Sequence, residues 1–263
     1  APGIDALASD WLDDSVRASS VRLTARLGSS AYEALCEVVA EADQSQTFRT
    51  LMAGSDFFVD QAGRQSAWLC DALADGTLLV AREWTTEQWD AALAILCGPN
   101  ASESDCLAAF RTFRHRHLVR IIWREVAQLA TVEDTFAELS GLADCCIRAA
   151  VAFAVSALRP KYGLPIGQES GDEQSLVVLA MGKLGGNELN LSSDIDLIFA
   201  YPQAGETEGG KQRLANQTYF VRLGQLVIRL LDAVTEDGFA FRVDMRLRPY
   251  GDSGALVGAF SAL

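Results

Sequence analysis

Residues 176–201, LVVLAMGKLGGNELNLSSDIDLIFAY, constrain the fold more than any other stretch. Six apolar residues, Leu176 to Met181, read as a buried strand. A glycine-rich turn follows at Gly182, Lys183, Leu184, Gly185 and Gly186, and a polar segment runs to Ser193. Residues 194–201 then read as a second strand. Alternate side chains of a strand share a face, so Asp194 and Asp196 point one way and Ile195, Leu197 and Phe199 point into a core. Paired carboxylates repel unless a cation sits between them. A hard divalent ion such as magnesium is their natural partner. A glycine turn lets backbone N–H groups approach a phosphate closely. Asp-x-Asp alone is common on solvated strand edges. The order strand, glycine turn, polar segment and carboxylate strand is what points to metal-assisted transfer of a phosphate-bearing group.

A third element strengthens this reading. Residues 239–248 alternate, with Phe239, Phe241, Val243, Met245 and Leu247 on one face. Arg242, Asp244, Arg246 and Arg248 share the other face with Ala240. The pattern predicts a ten-residue strand. Its aspartate, ringed by arginines, would serve as a third metal-facing carboxylate beside groups that grip phosphate oxygens.

These three elements resemble the DNA polymerase beta-like nucleotidyltransferase superfamily. More specifically, GKLGGNELNLSSDIDLIF and VDMRLRPYGDSG are similar to the glutamine synthetase adenylyltransferase/adenylyl-removing enzyme family. The likeness is strong over residues 176–263. Members carry two copies of the module, one attaching AMP to a tyrosine of glutamine synthetase and one removing it by phosphorolysis. NLSSDIDLIF and VDMRLRP resemble the N-terminal, adenylyl-removing half more closely. The resemblance implies an α+β fold: an all-helical region over residues 1–160, then a polymerase beta-like module over residues 161–263, a small mixed sheet flanked by helices. It implies one or two Mg2+ ions on Asp194, Asp196 and Asp244. Gly182, Lys183, Gly185, Gly186, Ser192, Ser193, Arg246 and Arg248 would then hold the nucleotide and phosphate. Inorganic phosphate would attack the AMP phosphorus on adenylylated glutamine synthetase, and ADP and free tyrosine would leave. The substrates supply the nucleophile, so no catalytic Ser, Cys or His is required. The family also answers to a nitrogen-signalling regulatory protein. Two rivals share these residues: the adenylyl-transferring half, adding AMP from ATP, and a nucleotide- or regulator-binding module inactive as a fragment.

The net charge of −13 over 263 residues opposes a nucleic-acid partner, which demands a basic footprint. The expected place is the cytoplasm, since no uninterrupted apolar run of 18 residues and no signal-peptide start is seen, and no membrane partner is expected. The six cysteines, Cys36, Cys70, Cys97, Cys106, Cys145 and Cys146, form no Cys-x-x-Cys and read as small buried apolar residues. His115 and His117, two apart on a helix, face different ways and do not make a shared metal site.

Before the catalytic stretch the chain reads as helix after helix, an all-α bundle. Ser29 or Ser30 is expected to cap a helix to about residue 53, with a turn and a short helix after Gly54. Thr85 or Thr86 opens 87–97, which Gly98, Pro99 and Asn100 end. Ser102 or Ser104 opens a helix to about 129, and 132–159 forms one or two more. Arg116, Arg120 and Arg124 stack at i, i+4 and i+8, together with Arg111 and Arg114 nearby. That face reads as solvated, with an acidic partner or the nucleotide as the functional alternative. Residues 159–175, rich in Pro and Gly, read as the boundary. Residues 202–210 read as a loop, 211–234 as an amphipathic helix, and 249–254 as a turn. The apolar end at 255–263 reads as a fragment whose module continues.

Overall fold

The computed structural model describes residues 4–80, 84–98, 100–249 and 251–262. Tyr250, part of the expected turn, and Pro99 lie outside the described residues. The fold is α+β, as the sequence implies. The chain divides into two compact units, residues 1–83 with 115–135, and residues 84–114 with 136–263. This division differs from the expected one at residue 160, because helical segments 84–114 and 136–160 belong with the sheets.

The first unit is all helix: α1 (Ile4–Leu27), α2 (Ser29–Glu41), α3 (Ser45–Gly54), α4 (Asp56–Arg64) and α5 (Ser66–Ala74). The single helix expected over 29–53 is two, because Asp43 takes a left-handed φ of 55°. Short polar residues tolerate that conformation, which stops a helix. Ser55 then caps α4, its side chain accepting from the Phe58 N–H at 3.1 Å. Leu35, Phe58 and Trp123 are fully buried in this unit's core. The rings of Phe48 and Trp123 pack on Phe58, 5.8 and 5.6 Å between centroids, and the Trp123 indole donates to Gln44 at 3.0 Å.

Next come α6 (Thr86–Leu96), α7 (Glu103–Val126) and α8 (Val132–Tyr162). Thr85 and Gln88 form a reciprocal capping box at the start of α6. Ser102 plays the same part for α7 with Asp105. Residues 132–162 form one helix, long and apolar enough by length and composition alone to cross a membrane. Within the second unit, however, Leu139, Leu142, Ala143, Cys145, Cys146 and Ala150 are buried in the protein, the pattern of a core helix.

The basic stripe on α7 is neither a solvated face nor an open docking face. In the first unit Arg116 donates to Gln65 at 2.8 Å and lies over Trp68, Arg120 donates to the Val80 carbonyl at 2.7 Å, and Arg124 to the Leu129 carbonyl at 3.1 Å. In the second unit Arg111 is 0% exposed and donates to the carbonyls of Leu230, Ala233 and Gly238. These guanidiniums bond to neighbouring backbone and side chains, which is how buried charge is tolerated. Phe110, Phe113, Ile121 and Trp123 are buried core residues.

In the second unit β1 (Gly163–Gly167) lies in the stretch read as a boundary, and pairs antiparallel with β4 (Gly205–Gly209), in the stretch read as a loop. Glycine and proline mask the strand pattern of both. The main sheet has β3 (Ile195–Tyr201) at its centre. It is antiparallel to β2 (Val177–Met181) and parallel to both β5 (Val243–Asp244) and β6 (Val257–Ala259). Ile195, Leu197, Phe199 and Tyr201 turn one face of β3 inward. Against it packs α10 (Asn216–Asp232), with Phe220, Leu223, Val227, Leu230 and Leu231 buried and Tyr201 stacked on Phe220 at 4.7 Å. This helix starts five residues later than expected: residues 211–215 run alongside β4, where the Thr207 N–H donates to the Leu214 carbonyl at 2.8 Å. Leu214 therefore precedes the helix.

The ten-residue strand expected over 239–248 is not formed. Only Val243–Asp244 pairs, and Leu247 is exposed. The Asp244 carboxylate accepts from the Arg246 backbone N–H at 2.8 Å and turns the chain away from the sheet. Such local side-chain bonds compete with strand ladders.

Candidate active site

The site forms where β2 ends. The apolar strand stops at Met181, and α9 (Gly182–Gly185) makes one tight turn, closed by the Gly186 N–H donating to the Gly182 carbonyl at 3.1 Å. Gly182 has a φ of +54°, and a Cβ there would lie 2.5 Å from Asp196 Oδ2. A Cβ at Gly185 would lie 2.5 Å from the Ala180 carbonyl oxygen. These two positions exclude a side chain, whereas Gly186 has ordinary room. The glycine turn thus rests directly against the Asp196 carboxylate.

Asp194 precedes β3 and Asp196 is its second residue, with Ile195 fully buried between them. Asp196 stands in register with Met181 on one side and Asp244 on the other. Each aspartate has a different neighbour. Asp194 is ion-paired to Arg242, whose guanidinium also donates to the Ser192 carbonyl at 2.7 Å. Arg246 grips Asp244 through its side chain, Nε lying 3.0 and 2.8 Å from the two carboxylate oxygens. That side-chain bond, then the backbone bond, hold the Asp244 carboxyl below the usual carboxylate range. Asp196 has no hydrogen-bond or ion-pair partner among the described residues.

Lys183 reaches across the turn to the Ser193 hydroxyl at 3.3 Å, and that hydroxyl donates to Asn190 at 2.7 Å. Arg248 folds back, donating to the Met245 carbonyl at 2.7 Å. The structure therefore places Asp196 and Asp244 side by side, Gly182 against Asp196, and Lys183 beside Ser193. It corrects the expected ring of three arginines about Asp244: Arg246 pairs with it, Arg242 pairs with Asp194, and Arg248 turns to its own backbone. Among the described residues no three His, Cys, Asp or Glu side chains already converge as a metal cluster. The oxygen donors still suit a hard divalent ion, with one carboxylate open and two held by side chains that can rotate away.

Two features escape the sequence reading. Leu179 and Met181 on β2, 43% and 37% exposed, pair with Ile198 and Asp196 and lay an apolar strip beside the carboxylates. An all-apolar strand gives no hint of which face is open. The second is the buried Arg111, which binds carbonyls at the end of α10 and in the turn before β5. Arginine spacing on α7 marks a face but not its burial.

Residues 45–263 match the family described as glutamate-ammonia ligase adenylyltransferase. The chain belongs to that family. The bifunctional glutamine synthetase adenylyltransferase/adenylyl-removing enzyme of Pseudomonas aeruginosa is 48% identical over 221 residues, covering 84% of this chain and 22% of that protein. Its counterpart in Nitrosococcus oceani is 44% identical over 227 residues, covering 86% and 23%. That of Shewanella oneidensis is 41% identical over 245 residues, covering 93% and 25%. This adenylyltransferase-family chain thus spans a quarter or less of the length of these curated relatives. The family match over residues 45–263 includes the glycine turn and all three aspartates.

Proposed function

We propose that this chain is an adenylyl-removing region that phosphorolyses AMP–tyrosine on glutamine synthetase. The observation that carries the reading is the register of Asp196 with Asp244 beside the Gly182 turn. Asp194, Asp196 and Asp244 would hold one or two Mg2+ ions, with Asp194 and Asp244 released from their arginines. The bound ion supplies neutralisation of charge on the phosphate oxygens. Gly182 lets the turn lie directly against the Asp196 carboxylate, and Gly185 seats that turn on β2. Lys183, Arg246 and Arg248 offer N–H donors to phosphate oxygens, and Ser192 and Ser193 offer hydroxyls. An oxygen of inorganic phosphate attacks the AMP phosphorus, the phosphorus–oxygen bond to tyrosine breaks, the phenolic oxygen takes up a proton, and ADP departs. The setting would be cytoplasmic nitrogen-assimilation control, with a nitrogen-signalling regulatory protein as a further partner.

The adenylyl-transferring direction uses the same carboxylates, and the names of the relatives carry both activities. Labelled ATP decides between them. Unmodified glutamine synthetase should gain no AMP from this chain. Incorporation of label would reverse the assignment.

A further inference from the structure

We propose that Cys97 and Cys106 are a reversible oxidation site that closes to an intramolecular disulfide. Their sulfurs lie 2.7 Å apart, against about 2.05 Å in a formed disulfide. No other pair of cysteine sulfurs is in such contact among the described residues. Cys97 follows the last residue of α6 and is half-buried, while Cys106 is fully buried near the start of α7. The short connection between these helices brings the two together. Cys97 is the partly exposed member of the pair, and a small oxidant reaches the two sulfurs from its side.

The two sulfurs have unequal roles. Burial, then the bond to Cys97, pushes the Cys106 thiol up to about 12, so it is a poor first nucleophile. The more exposed Cys97 meets the oxidant. Its thiolate attacks one oxygen of hydrogen peroxide, forming the sulfenic acid and releasing hydroxide. The Cys106 sulfur then attacks the Cys97 sulfur. The sulfur–oxygen bond breaks, the hydroxyl leaves with the Cys106 proton as water, and the disulfide remains. Two thiols lose two electrons and the peroxide gains them. A dithiol reductant reverses the step.

The test treats the folded chain with hydrogen peroxide, blocks remaining thiols, and digests with a protease cutting after glutamate, since Glu103 lies between the two cysteines. The expected result is one fragment pair joined through Cys97 and Cys106, split by dithiothreitol, with the other four cysteines blocked. In Cys106→Ser, Cys97 should accumulate as a sulfenic acid trapped by dimedone. Blocking of both Cys97 and Cys106 after peroxide treatment would overturn the proposal. So would a linkage that forms as fast in the urea-unfolded chain as in the folded one, since fold-imposed proximity would then contribute nothing.

Discussion

Asp196 and Asp244 stand opposite each other in parallel register on β3 and β5, yet only Asp244 is paired, to Arg246. Asp194, just before β3, is likewise paired to Arg242. In this arrangement arginines occupy two of the three carboxylates proposed to hold the cation, and would compete with it.

Arg242→Gln is therefore expected to tighten Mg2+ binding. The pair is about half exposed, so its strength lies in the range of ~0.2–1 kcal/mol. An affinity gain of up to about fivefold follows. Calorimetric titration checks it, and weaker binding in the variant would show that Arg242 does not compete.

Gly182→Ala places a Cβ against Asp196 at a positive φ. A destabilisation of about 1–3 kcal/mol is expected, with loss of activity. Gly186→Ala meets nothing closer than 3.7 Å and should stay within about 1 kcal/mol of the parent. Urea unfolding of both variants distinguishes a turn that needs glycine from one that merely contains it.

Arg111→Met removes the buried donors from the carbonyls of Leu230, Ala233 and Gly238. The Gly238 carbonyl still accepts from the Thr235 N–H at 2.8 Å, so the Leu230 and Ala233 carbonyls are the ones left without this donor. At about 1–3 kcal/mol for each unsatisfied acceptor, a loss of at least about 2 kcal/mol is expected on denaturant unfolding. Lysine should not rescue it, because a single ammonium cannot reproduce the planar fork.

The Asp244 carboxyl is held low in the folded chain, first by the Arg246 side chain. A depressed carboxylate contributes stability that is fully present above its unfolded value, near pH 4, and is lost as pH falls through the lower folded value. The acid limb of a stability–pH profile should become shallower in Arg246→Gln. An unchanged limb would show that the pair contributes nothing measurable.

The buried face of β3 was legible because Ile195, Leu197 and Phe199 alternate with polar or open positions. The start of α6 was legible only as Thr85 or Thr86, because either threonine can cap; the reciprocal Thr85–Gln88 bonds decide for Thr85. The Phe239–Arg248 strand misled because alternation records side-chain polarity, whereas the Asp244–Arg246 backbone bond, which alternation cannot show, ends the pairing. β1 and β4 were hidden by glycines that carry no side chain to alternate. At the candidate site, spacing brought the three aspartates and the glycine turn to notice. Which arginine meets which aspartate depended on the turn that follows Asp244, which no spacing encodes.

The most direct measurement is phosphate-dependent release of ADP from adenylylated glutamine synthetase, comparing the parent chain with Asp196→Asn. Carboxylate-held charge neutralisation is a matter of several kcal/mol, and each ~1.4 kcal/mol is tenfold in rate. Mg2+-dependent release by the parent is expected, with a loss of about 100-fold or more in a variant that melts at the parental temperature. Equal release by a folded Asp196→Asn would contradict the assignment of this carboxylate, and with it the site.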